Sequence, residues 1–357
     1  MHFDLFHELA MPPQLGRSET QAVADWLCEL ELADTLGFRC AWLPEHHFSG
    51  DYSHCAAPDL LLAAASTRTR RLRLGLAVIP LPHHHPVRVA ERVATLDVLS
   101  GGRLEVGIGR GFSPLEYAVF GADQKNSRAI MTEALALLRA SFRREPVRLV
   151  SGETVNILPK PVQAAPPLWA AAVSPEGFAW AADQKLPVLA GPFKPWFMTR
   201  ADLAAFRAAW PASTPPSIGL ALGIFCLRDG RRARRLAAPA FEWFYRELFR
   251  VTAPVLERLY PGYEHFASLG RFRHLLRLGV NLRFLTTFGM AVVGSPEECV
   301  EALGKYREAG VTHLLCAVGA GALPTDLVRE CLHVLAEEVM PHFAVGDGPD
   351  HAGSAHR

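Results

Sequence analysis

Four short segments carry residue types suited to acid–base or anion chemistry. Leu43-Pro44-Glu45-His46-His47-Phe48 sets two adjacent histidines after an apolar run. Histidine changes protonation near neutral pH, so it can serve as acid or base. Consecutive side chains in an extended segment point to opposite faces, so one of the two lines a given pocket. Structural hydrogen bonding is the competing role for this pair. Glu45-His46-His47 lacks the H-E-x-x-H spacing, so no metal is expected there. In Pro80-Leu81-Pro82-His83-His84-His85-Pro86 the flanking prolines fix an extended turn, which reads as a shaped loop and not a metal site. Gly107-Ile108-Gly109-Arg110-Gly111-Phe112 lets the backbone approach a flat ligand closely, and Arg110 can hold a phosphate through forked N–H bonds. A tight turn with a surface arginine is the alternative. Ser174-Pro175-Glu176-Gly177 starts a helix whose N-terminus also suits an anion. Ser295-Pro296-Glu297-Glu298 repeats that cap chemistry, so plain capping is the simpler reading of the residues alone.

The elements that must position these segments follow from the apolar runs. Strands are expected at 2–6, 39–44, 72–79, 104–108, 167–173, 186–190, 217–227 and 312–318. Helical patterns lie between them: Ser18 to Gly37, Ala57–Thr67, Pro86–Leu99, Arg128–Arg143, from Ser174 onward, and up to Met340. The strands are mostly uninterrupted apolar runs, as when both faces are covered. Eight such units predict an α/β chain closed into a (β/α)8 TIM barrel, whose reactive groups sit at the strand C-terminal ends. An open doubly wound sheet needs a G-x-G-x-x-G fingerprint after its first strand, and Pro12-Pro13 stands there instead. A long insertion, 229–292, separates strand 7 from helix 7 and carries Trp243, Phe244, Tyr245, Phe249, Tyr260, Tyr263, Phe266 and Phe272. Such length far exceeds a usual connection, so the segment is expected to be a lid or a pocket wall. Residues 146–167 read as a shorter hairpin insertion, 1–343 as a single barrel, and 344–357 as a disordered tail.

Composition narrows the function classes. Lys+Arg 37 against Asp+Glu 36 leaves a net charge of +1, without the footprint of a nucleic-acid binder. The Arg231-Arg232-Ala233-Arg234-Arg235 run reads as a solvated helix face. Seven cysteines, widely spaced and without C-x-x-C, suit buried reduced thiols in a cytoplasmic protein. The Met-His-Phe-Asp start lacks a signal-peptide pattern, and no apolar stretch approaches a membrane span of about 20 residues.

Together the motifs resemble the bacterial luciferase-like family of flavin-dependent monooxygenases and oxidoreductases. The resemblance rests on Trp42-Leu43-Pro44-Glu45-His46-His47-Phe48, Arg71-Leu72-Arg73-Leu74-Gly75, and Leu81-Pro82 with His85-Pro86-Val87-Arg88-Val89-Ala90-Glu91. Leu96-Asp97-Val98-Leu99-Ser100-Gly101-Gly102-Arg103, Gly107 to Gly111, Val293-Gly294-Ser295-Pro296-Glu297-Glu298-Cys299 and Val339-Met340-Pro341 continue it to about Phe343. The resemblance implies that His46 is catalytic beside a flavin ring. It implies that Arg110 and Ser174 bind the flavin phosphate, with the backbone at Gly111, Phe112 and Val173 completing that site. It places a non-proline cis peptide at Ala77-Val78 under the ring. It further implies a monooxygenase that takes reduced FMN from a separate NAD(P)H:flavin reductase. O2 would then oxidise a hydrophobic or natural-product small molecule through a peroxyflavin, in a protein expected to be a homodimer. An F420-dependent oxidoreductase and a non-catalytic flavin-binding protein are the alternatives. Gly109 stands where luciferase proper has a cysteine, which argues against light emission, and Gly177 stands where a threonine often helps bind phosphate.

Overall fold

The computed structural model describes residues 1–143, 145–149, 151–191, 194–257 and 280–344. Eight parallel strands close a barrel: β1 (His2–Phe6), β2 (Cys40–Leu43), β3 (Arg73–Pro80), β4 (Leu104–Gly109), β7 (Leu168–Ala171), β8 (Val188–Ala190), β9 (Ile218–Cys226) and β11 (His313–Val318). They follow chain order around the ring, and β11 returns to β1 with Phe3 opposite Leu314. The expected (β/α)8 barrel is the observed fold. β5 (Val147–Arg148) and β6 (Thr154–Val155) form the expected hairpin outside the ring. One strand was not anticipated. β10 (Ala291–Gly294) pairs in parallel with the far half of β9, Ala291 opposite Gly223.

The helices cover the barrel where their end signals fall. α1 (Glu19–Leu36) is capped by Ser18, whose side chain accepts from the Gln21 backbone, and stops at Gly37 in the left-handed region. α2 (Pro58–Arg68), α3 (Pro86–Leu99) and α5 (Ser127–Phe142) follow the expected spans. α4 (Pro114–Phe120) was not expected, although Ser113 caps it by accepting from the Glu116 backbone. α6 (Pro175–Asp183), α7 (Trp196–Ala209), α10 (Pro296–Glu308) and α11 (Thr325–Val334) complete the coat. The expected helix to Met340 changes character, passing into a wider turn at Leu335–Val339 and a tighter one at Met340–Phe343.

Alternation along the strands divides the interior into layers. Near the N-terminal ends Arg39 pairs with Asp4 at 2.6 Å and with Glu105, which also takes Arg73 at 2.7 Å. The indoles of Trp42 and Trp169 donate to Asp4 and Glu105, each at 2.8 Å. These charges are hydrogen-bonded as well as paired, the condition for keeping them inside. They floor the barrel. Two residues further along β1, Phe6 faces an open space at the C-terminal end.

The long insertion begins as α8 (Gly230–Glu257), with α9 (Leu282–Thr287) leading into β10. The basic run at its start is pinned by ion pairs: Arg232 to Glu330 at 2.5 Å and Arg234 to Glu298 at 2.7 Å. Phe241, Phe244, Tyr245 and Leu248 are buried. A Cβ on Gly223 would lie 2.7 Å from Phe241, so the bare backbone of β9 admits this helix. This part of the insertion is therefore a packed wall. Tyr260, Tyr263, Phe266, Phe272 and the tail after 344 lie outside the described residues. Six cysteines are buried, Cys28 is half-buried, and all seven are free. Among the described residues no helix is long and apolar enough to cross a membrane.

Candidate active site

The eight residues singled out in the sequence, His46, Ala77, Val78, Arg110, Gly111, Phe112, Val173 and Ser174, line one cavity at the C-terminal ends of the strands. Its floor is small and apolar: Ala77, Ala171, Ala190, Ala221, Leu315 and Ala317. The Ala77–Val78 peptide is cis. Phe6, Tyr52, Phe112 and Phe244 stand around the sides, and Phe244 brings the α8 wall to 5.5 Å from the Tyr52 ring.

One part of the lining is built for an anion. Arg110 leaves β4, and the Tyr117 hydroxyl donates to its carbonyl. Ser174 caps α6 by accepting from the Gly177 backbone at 3.2 Å, and its hydroxyl proton remains available to an oxygen acceptor. Lys194 donates to the Val173 carbonyl at 3.0 Å and pairs with Asp202, which fixes the chain just before that cap. Arg128, at the start of α5, lines the same cavity and stacks on Trp180 at 5.2 Å. Sequence reasoning missed Arg128, since no motif marks the start of α5. Gly111 holds φ at 75°, and a Cβ there would sit 2.6 Å from His83 Nε2. Only glycine lets the chain pass this ring and turn Arg110 to the cavity.

The two adjacent histidines part company in the loop after β2: His46 lines the cavity and His47 does not. His47 turns away: its ring bonds Glu45 at 3.2 Å, and its backbone N–H donates to Glu116 at 2.9 Å. His84 meets the same Glu45 oxygen at 2.5 Å, so this carboxylate ties the loop after β2 to the loop after β3. Burial opposes charge on Glu45, but hydrogen bonds from His47 and His84 prevail and hold it down at about 2. The Glu45 hydrogen bond raises His47 above its usual range. His83 is buried against Tyr117, ring centroids 4.6 Å apart, and burial lowers it to about 4.

His46 faces the cavity between Tyr52 and Phe112, with ring centroids at 5.8 and 5.7 Å. Burial among these rings pushes it down to about 4, so it is a neutral imidazole at pH 7. Glu8, just past β1, lies beside it and takes the Tyr52 hydroxyl at 2.7 Å. Burial raises Glu8 to about 8. Its place at a strand C-terminal end was the available signal for Glu8. No group of three His, Cys, Asp or Glu suited to a metal occurs among the described residues.

A flavin mononucleotide fits this donor set. Two guanidiniums and a capped helix N-terminus suit a terminal phosphate, and the small apolar floor suits a flat ring. Comparison with known proteins gives the fold and the family. The monooxygenase RslO1 of Streptomyces bottropensis superposes with a TM-score of 0.80 at 26% identity, covering 96% of this chain and 100% of its own. The oxygenating constituent of 3,6-diketocamphane monooxygenase of Pseudomonas putida, in complex with FMN, shares the fold with a TM-score of 0.79 at 20% identity. It covers 96% of this chain and 98% of its own. The uncharacterized protein y4wF of Sinorhizobium fredii is 31% identical over 347 residues, 91% of this chain and 93% of that protein. The family model described as luciferase-like monooxygenase matches residues 1–313, and the chain belongs to that family.

Proposed function

We propose that the chain is a monooxygenase that takes reduced FMN from a separate NAD(P)H:flavin reductase and uses O2 to oxidise an uncharged, apolar small molecule. The observation that carries this reading is the division of the cavity into an anion-suited part, with Arg110, Arg128 and Ser174, and a small apolar floor beside His46. When bound, reduced FMN supplies the electrons that activate oxygen. Arg110, Arg128 and Ser174 hold its phosphate, with the backbone of Gly111, Phe112 and Val173 around them. Ala77 and Val78 support the ring. His46 holds or moves a proton at the reacting position, and neutral imidazole suits that task. Tyr52, Phe112 and Phe244 exclude water from the reaction.

Titration with FMN and with F420, followed by fluorescence, tests the cofactor. Oxygen uptake with chemically reduced FMN, with and without apolar ketones and aldehydes, tests the reaction. FMN binding and substrate-coupled oxygen uptake are expected. Binding of F420 alone, with hydride transfer in the absence of oxygen, would replace the reading by an F420-dependent oxidoreductase. FMN binding without oxygen uptake would leave a flavin-binding protein.

A further inference from the structure

Glu8 is a buried carboxyl group that nothing above has put to work. Its side chain is 6% exposed. Oε1 accepts the Tyr52 hydroxyl at 2.7 Å, and the backbone carbonyl accepts the Ser53 hydroxyl at 2.7 Å. Oε2 is buried and has no hydrogen-bond partner among the described residues. His46 Nε2 lies 3.7 Å from it. Leaving a buried oxygen unsatisfied is unfavourable, so the arrangement calls for a role. Both side chains line the cavity.

We propose that Glu8 is the proton store behind His46, and that the two work as one relay in the reaction proposed above, on which this inference rests. The step balances without an ion on the ring. The Glu8 Oε2–H bond breaks as an N–H bond forms at His46 Nε2. The proton on the other ring nitrogen, Nδ1, passes to an oxygen base formed in the cavity. His46 begins and ends neutral, with its tautomer exchanged. The negative charge comes to rest on Glu8, where the Tyr52 hydroxyl already donates to the carboxyl group. Solvent then protonates His46 Nδ1 while the Nε2 proton returns to Glu8, which restores both groups and the starting tautomer.

The surroundings favour this division of labour. Tyr52 and Cys55 are the titratable groups beside Glu8, and Glu45 and His47 those beside His46. Burial makes an imidazolium at His46 costly, which disfavours a histidine acting alone as the acid. Glu8 is raised to about 8, so at neutral pH it carries a proton that it can donate. Glu8 thus acts through His46 and is a positioning residue.

Infrared absorption of the flavin-free protein reads Glu8 directly. A carboxylic-acid carbonyl band is expected at neutral pH, absent in Glu8→Gln and lost from the wild type as pH rises through about 8. No such band, or the same band in Glu8→Gln, overturns the proposal whatever the protein does with flavin. Tyr52→Phe removes a donor to the carboxylate and is expected to move the loss of the band upward by about one pH unit. An unmoved band there also counts against the proposal. Stopped-flow reoxidation of protein loaded with reduced FMN supplies the kinetic arm. The wild type is expected to slow above about pH 8, and Glu8→Gln to run at least ~10-fold slower at neutral pH without that break. Equal rates with an unchanged pH profile overturn the relay. A wild-type protein that binds no FMN removes the flavin reading instead, and the infrared result still decides the state of Glu8.

Discussion

Ser174 caps α6, and in the proposed function it also holds a phosphate; three substitutions separate the two tasks. Its side chain accepts from the Gly177 backbone at 3.2 Å, and the residue is 5% exposed, so water cannot replace it freely. Ser174→Ala loses the cap, worth about 1 kcal/mol of folding stability. It also loses a donor to a charged oxygen, about 1.5–3 kcal/mol, or roughly 10- to 150-fold in the FMN dissociation constant. Ser174→Gly retains most of the cap energy, losing only a few tenths of a kcal/mol. Its affinity for FMN should fall as far as that of the alanine variant. Ser174→Asp keeps a good capping oxygen and a charge that favours the helix N-terminus, so stability should hold. Against a doubly charged phosphate about 4 Å away, each unit pair repels by about 1 kcal/mol even at the dielectric of water. The loss is then at least ~2 kcal/mol, near 30-fold in affinity. Urea unfolding midpoints and FMN titrations on the same preparations provide both axes. An aspartate variant that binds FMN as the wild type does would refute the phosphate role and leave Ser174 a helix cap.

Arg110→Ala should weaken FMN binding by about 1.5–3 kcal/mol, the range for a hydrogen bond to a charged group, and an unchanged dissociation constant would turn Arg110 into a residue of the loop alone. His46→Ala should leave FMN affinity within a few-fold but lower product formation by ~10²-fold or more, whereas a larger loss in His47→Ala would reverse the choice of histidine. Glu8 is raised from 4.5 to about 8, so the folded state holds its proton longer than the unfolded chain does. Its contribution is present below pH 4.5 and is lost as pH rises through about 8, with a slope of at most ~1.4 kcal/mol per pH unit. Denaturant unfolding should therefore show Glu8→Gln gaining stability relative to the wild type across that window, and a flat difference would mean that Glu8 is ionised in the fold.

The barrel was legible because parallel strands with both faces covered write themselves as apolar runs. β9 is buried along its whole length and reads Ile-Gly-Leu-Ala-Leu-Gly-Ile-Phe-Cys. β10 escaped because Ala-Val-Val-Gly is short and abuts the Ser295 cap, so it merges with the helix start. α4 had a signal in Ser113-Pro114-Leu115-Glu116, the same cap spacing that marked other helices. In the site, most residues next to strand ends were legible, Glu8 after β1 being the exception, and residues brought in by closure were not. Arg128, Tyr52 and Thr252 reach the cavity from helices and turns whose approach no local pattern encodes. One of His46 and His47 lines the cavity, as their adjacency suggested, although both lie past β2 in a loop that bends at His47. Glu8, which lies beside His46, comes from a segment the sequence leaves unconnected to it, whereas Glu45, the partner of His47, stands two residues before it.

The contact between Gly223 and Phe241 bears on how such a barrel changes over generations. Loops at the rim can lengthen or shorten and alter only the entrance. A side chain at position 223 would instead push on a ring of α8, and the helix would have to shift as a body, taking Phe244 with it. The groups suited to phosphate arise elsewhere, on the segments after β4 and β7 and at the start of α5. In the proposed function, cofactor retention and the dimensions of the substrate space are therefore inherited through different parts of the chain, and changes at 241 and 244 would alter the second while leaving the first intact.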